Sequence, residues 1–155
     1  MEYGSIEREI QVEAPPEVVY AVISSPDHMR EWWNGVESDV DAAAGATGEF
    51  AWRNRATGEE HVARVMVVDA DPPRLFSFRW TQDAGETAQA GNSLLATFEL
   101  VPAGGGTLLR VSETGFRERG WEAAKLEEVY NDHVSGWDFH LATLERYLST
   151  LVSTS

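Results

Sequence analysis

From Leu126 to the end of the chain, Leu126, Val129, Tyr130, His133, Val134, Trp137, Leu141, Leu144, Leu148 and Leu151 recur at intervals of three and four residues. That spacing marks one face of an α-helix. Glu127, Glu128, Asp132, Asp138, Glu145 and Arg146 fall between them and suit a solvated face. The pattern predicts a helix over roughly 120–151, opening at Gly120 without a Ser or Asp cap. At about 1.5 Å per residue it would run about 45 Å, so it needs a large apolar partner surface.

The rest of the chain supplies candidates for that surface. Ile6, Arg8, Ile10 and Val12 alternate with Glu7, Glu9, Gln11 and Glu13, which predicts a strand with one apolar face. Ala14-Pro15-Pro16 ends it, and Pro16 suits the first turn of a short helix through Val18, Val19, Ala21, Val22 and Ile23. Ser25-Pro26-Asp27 breaks that helix, and Ser25 or Asp27 can cap a second through His28, Met29, Trp32 and Trp33. Strands are then expected at 36–40, 49–53, 61–68, 75–81, 93–101 and 107–114. Turns fall at Asp41–Gly45, Ala56–Gly58, Asp69–Pro73 and Pro102–Gly106, and a polar loop at Gln82–Asn92. Phe76, Phe78 and Trp80 against Ser77 and Arg79 give the clearest alternation in the chain.

The order is one strand, two short helices, about six antiparallel strands and one long helix. It predicts an α+β domain spanning 1–155, in which a curved antiparallel sheet is covered on one face by the last helix. The two short helices after the first strand would close one end.

Composition narrows the function classes. The chain has 155 residues, 43% of them hydrophobic, with six Trp, six Phe and four Tyr, which is enough for one packed core. It has no Cys, which excludes disulfides and thiolate metal sites. No apolar run of about 18 residues exists and the first residues are charged, so neither a membrane span nor a signal segment is expected. A cytoplasmic location is expected. The net charge is −14, with Lys125 the only lysine, so no basic patch is available for nucleic acid or an anionic membrane.

Several stretches together resemble the Bet v 1-like, START-like (SRPBCC) superfamily, and within it bacterial homologues of the activator of heat-shock protein 90 ATPase. They are Ala14-Pro15-Pro16 with Val18-Val19-Tyr20-Ala21, then Trp32-Trp33, then Asp71-Pro72-Pro73-Arg74-Leu75 leading into the aromatic strand. Phe98-Glu99-Leu100-Val101-Pro102 with Gly106-Thr107-Leu108-Leu109 follows, and Gly136-Trp137, Leu141, Leu144 and Tyr147-Leu148 complete the set. The resemblance implies a helix-grip fold with a mostly apolar cavity between sheet and helix. It also implies binding of a small hydrophobic or aromatic molecule there, in a stress-related setting. A chaperone-ATPase-activator-like interaction module is one alternative, and a polyketide cyclase or aromatase is another. Monomer and homodimer both remain open.

If alternation holds, Phe50, Trp52, Phe76, Phe78, Trp80 and Phe98 share the concave face, joined by Trp33 from the closing helices and by His133, Trp137 and Leu141 from the long helix. These ten residues are the expected cavity lining. His133 is the polar group placed to orient a ligand. Glu113 shares the inward parity of Val111, which allows it at the cavity mouth, although a solvated carboxylate is the simpler reading. Arg110 should face solvent. His133 and His140 are seven residues apart, too far along a helix to chelate a metal together. No nucleophile–His–acid arrangement is present, so binding is favoured over catalysis and no cofactor is expected.

Overall fold

The computed structural model describes residues 5–33, 35–53, 57–81, 93–116 and 122–153. The elements in chain order are β1 (Ser5–Val12), α1 (Pro16–Ser24), α2 (Pro26–Trp32), β2 (Glu37–Ser38), β3 (Thr47–Arg53), β4 (Glu60–Asp71), β5 (Leu75–Trp80), β6 (Leu94–Ala103), β7 (Gly106–Thr114) and α3 (Ala123–Ser153). The strands form a seven-stranded antiparallel sheet in the order β1-β7-β6-β5-β4-β3-β2. This is the helix-grip arrangement: a curved sheet with two short helices after its first strand and one long helix at the end.

Prolines set the helical breaks. Pro15 caps α1 with extended backbone, and its carbonyl accepts from the amides of Val18 and Val19. Pro16 occupies the first turn, where a missing N–H costs nothing. Ser25, held extended before Pro26, ends α1 and starts α2. It caps α2 through its backbone only, without a side-chain hydrogen bond.

β3 opens at Thr47, two residues before the expected start, and three further strands differ from the sequence expectation for identifiable reasons. The strand expected at 36–40 shrinks to Glu37–Ser38, because the Ser38 hydroxyl accepts from the Val40 amide and turns the chain. Val36 and Val40 are buried on either side of it. β4 runs on to Asp71, past the expected stop, through a register shift between Val67 and Asp69. The Ser77 hydroxyl pins that bulge, accepting from the Asp69 amide and donating to its carboxylate, and a bulge of this kind helps the sheet to curve. β6 continues through Pro102, which pairs with Thr107. The Leu100 amide points to the Arg74 carbonyl, so the nitrogen of Pro102, two residues on, faces the same side beyond the end of β5. No ladder donor is needed there. The expected turn narrows to Gly104-Gly105, with φ of 57° and 86°.

The core lies between the concave face of the sheet and α3. Trp137, Leu141, Leu144 and Leu148 are fully buried, whereas Leu126, Val129, Tyr130 and Val134 are only partly so. Besides the His133 and Trp137 bonds to Glu113, side-chain bonds fix the helix at three places. Arg8 Nε donates to Asp138 Oδ1 at 2.7 Å, the Tyr130 hydroxyl donates to the Ser5 carbonyl at 2.7 Å, and His28 Nδ1 meets the Tyr147 hydroxyl at 2.8 Å. The described helix begins at Ala123 rather than Gly120, which lies outside the described residues, as do the expected 82–92 loop and Ala56. Arg110 is exposed as expected and pairs with Glu9 at 2.8 Å and Glu99 at 3.5 Å. Among the described residues no helix is long and apolar enough to cross a membrane.

Candidate functional site

Strand alternation brings Phe50, Trp52, Phe76, Phe78, Trp80 and Phe98 to one face of the sheet, and these rings do two different things. Phe50, Phe76, Phe78 and Phe98 fill the interior with ring centroids 5.2–6.3 Å apart, and all four are at most 3% exposed. The space remaining beside Phe50, Phe76 and Phe78 is about 10 Å³, too small for a ligand. Leu141 is likewise core. The deep cavity implied by the resemblance is therefore packed through most of its depth.

At one end it opens. A cleft of about 290 Å³ lies between the middle of α3 and the β3–β5 part of the sheet, lined by Trp33, Trp52, His61, Trp80, Asp132, His133, Gly136, Trp137 and His140. Five of the ten expected lining residues (Trp33, Trp52, Trp80, His133 and Trp137) are brought together here; the other five pack behind them. Trp33 is the hub. It follows directly on α2, and its ring lies 5.3–6.0 Å from those of Trp52, Trp80, Trp137 and Phe78. Its carbonyl accepts from Trp52 Nε1 at 3.1 Å.

His61, Asp132, Gly136 and His140 also line the cleft, and the sequence reading did not select them. His61 pairs with Trp52 across the β3–β4 hairpin, and their rings stack at 5.8 Å. Gly136 and His140 lie three and seven residues beyond His133, on the same helix face, so helical spacing alone could have identified them. Hairpin register could have identified His61.

Beneath the cleft sits Glu113 of β7. Its parity points inward, and although a solvated carboxylate is the simpler expectation, the side chain is completely buried. Oε1 accepts from Trp137 Nε1 at 2.8 Å and meets His133 Nδ1 at 2.7 Å, while Oε2 accepts from Trp80 Nε1 at 2.8 Å. An indole N–H can only donate, so both carboxylate oxygens are held as acceptors. One carboxylate thereby fixes the orientation of three of the cleft-lining rings.

The imidazoles experience opposing environments. Burial works against the charge of His133, but the hydrogen bond and charge of Glu113, with the charge of Asp132, outweigh it and raise the pKa above its ordinary 6.5. Burial alone pushes His140 down. Its Nδ1 is buried without a hydrogen-bond partner among the described residues. Nor do three or more His, Asp or Glu side chains gather into a metal-binding cluster among those residues.

Solved structures share this fold. MLL2253 from Mesorhizobium loti is 23% identical, with a TM-score of 0.72 over 94% of this chain and 97% of its own. Aha1 from Colwellia psychrerythraea, a dimer in its solution structure, is 18% identical, with a TM-score of 0.67 over 93% of this chain and 95% of its own. DynU16, a protein of the dynemicin biosynthetic locus, is 18% identical, with a TM-score of 0.70 over 95% of this chain and 48% of its own. Likeness at these identities carries the fold alone. None of the curated proteins matches the sequence. The model of the family described as activator of Hsp90 ATPase homolog 1-like protein matches residues 13–149, nearly the whole helix-grip domain, and the chain belongs to that family within the Bet v 1-like superfamily.

Proposed function

We propose that this protein binds a small, flat hydrophobic or aromatic molecule in the cleft beside α3, without covalent chemistry. The observation that carries the reading is the meeting of four indoles, from Trp33, Trp52, Trp80 and Trp137, around about 290 Å³ of unfilled space. Ligand sites are mostly apolar with a few fixed polar groups, and this volume lies at the lower end of their range. Rings also give large contact area at low entropic cost. The size suits two or three fused rings better than a long acyl chain. A protein-interaction role is the alternative from the family, but the cleft gives it no specific support.

Gly136 offers a test that spares the core. It lies inside α3, where glycine costs about 1 kcal/mol relative to alanine. A Cβ built there meets only His140 Cδ2, at 3.9 Å. The side chain of a Gly136→Leu variant would thus enter the cleft without displacing a core group. Titration of tryptophan fluorescence with naphthalene-sized aromatics, alongside native mass spectrometry of protein taken from cells, should show saturable binding to the native chain. Binding should be lost in Gly136→Leu, with a melting temperature no lower than native. Equal binding by both proteins, or none by the native chain, sinks the reading.

A further inference from the structure

His133 Nδ1 is committed to Glu113, which leaves Nε2 as the ring nitrogen available to the cleft that His133 lines. The Glu113 carboxylate cannot turn away, because Trp80 and Trp137 hold both of its oxygens. The imidazole is therefore fixed in position by a buried acceptor, as in carboxylate–histidine pairs that present one oriented N–H. The ring is packed by Trp80 at 5.7 Å and Phe116 at 5.6 Å, so it cannot rotate freely.

Resting on the ligand-binding reading above, we propose that the cleft selects aromatic molecules carrying a carbonyl oxygen, which accepts a hydrogen bond from His133 Nε2 while the ring system lies over Gly136 against the indoles. The backbone at Gly136, one helical turn from His133, presents no Cβ to that ring. Of the other polar groups on the cleft, Asp132 is an acceptor beside the histidine and repels a ligand carboxylate. His140 lies two turns along the helix with its pKa depressed, and His61 lies on β4. The site thus offers one strong donor and no cluster of positive charge, which fits a neutral carbonyl better than an anion.

Protonation gives the proposal its sign. The groups around His133 are Glu113 from β7 and Asp132 from α3, with His61 across the cleft on β4 and His140 two turns along α3. Glu113 and Asp132 favour the imidazolium, in which Nε2 donates. Once the ring loses its proton, Nδ1–H stays on Glu113 and Nε2 becomes an acceptor. The preference should then pass from a carbonyl to a hydroxyl.

The experiment uses the native chain and three probes of one shape: acetylnaphthalene, ethylnaphthalene and naphthylethanol. Below the His133 titration, acetylnaphthalene should bind roughly 10- to 100-fold more tightly than ethylnaphthalene, the range for a hydrogen bond to a charged donor. Its carbonyl stretch should move to lower wavenumber on binding. Above the titration, naphthylethanol should become the tighter ligand of the two oxygenated probes. Equal affinity for all three, unchanged across that range, overturns the carbonyl assignment and leaves aromatic binding intact. Failure of all three to bind overturns both.

Discussion

Glu113 occupies a strand position where alternation points its side chain inward, yet a lone carboxylate there would be costly to bury. Two tryptophans and a histidine, from β5 and α3, make burial possible. Glu113→Gln keeps the shape but replaces one acceptor oxygen with a donor NH2, which must face an indole N–H or the imidazole. Breaking one side of a buried pair costs about 3–5 kcal/mol, and urea denaturation should show a loss of that size. The His133 pKa should fall in the same variant, because the carboxylate that raises it is gone. An NMR titration of the His133 ring that is unchanged in Glu113→Gln would refute the ion pair.

At the scale of elements, α3 is unevenly anchored. Leu144 and Leu148 are at most 2% exposed, whereas Leu126 near the other end is only partly buried. Leu144→Ala should cost about 2–5 kcal/mol, and Leu126→Ala distinctly less, by the same denaturation measurement. Equal costs would mean that the first turns of α3 pack as tightly as the last. The helix face itself was legible in the sequence, because the three-and-four spacing from Leu126 to Leu151 is a direct consequence of 3.6 residues per turn. So were six strands of the seven in near-final position, since alternation and turn residues act locally. The bulge at Val67–Asp69 and the shortening of β2 were not legible. Each depends on one serine hydroxyl choosing a backbone partner. The division of the aromatics into core and cleft was not legible either. Phe78 and Trp80 share strand, face and residue class. Phe78 packs against Phe50 and Phe98, whereas Trp80, two residues on at the end of β5, borders the cleft.

Across the whole molecule, the two helix histidines should shape stability in opposite directions with pH. His133 has a folded pKa above 6.5, so its ion pair with Glu113 is fully present below that value and is lost as pH rises through the elevated pKa. His140 has a folded pKa below 6.5, so the unfolded chain takes up a proton first as pH falls, and stability drops on the acid side. Together they favour a maximum near 6.5, the shared unfolded value. The surface charge of −14 adds its own repulsion, so variants are best compared at constant salt. His140→Gln should flatten the acid limb of the urea midpoint against pH and leave the alkaline limb alone. Glu113→Gln should flatten the alkaline limb while lowering the whole curve. If His140→Gln leaves the acid limb as steep as in the native chain, burial of a neutral His140 is not what limits stability there, and surface carboxylates would account for that limb.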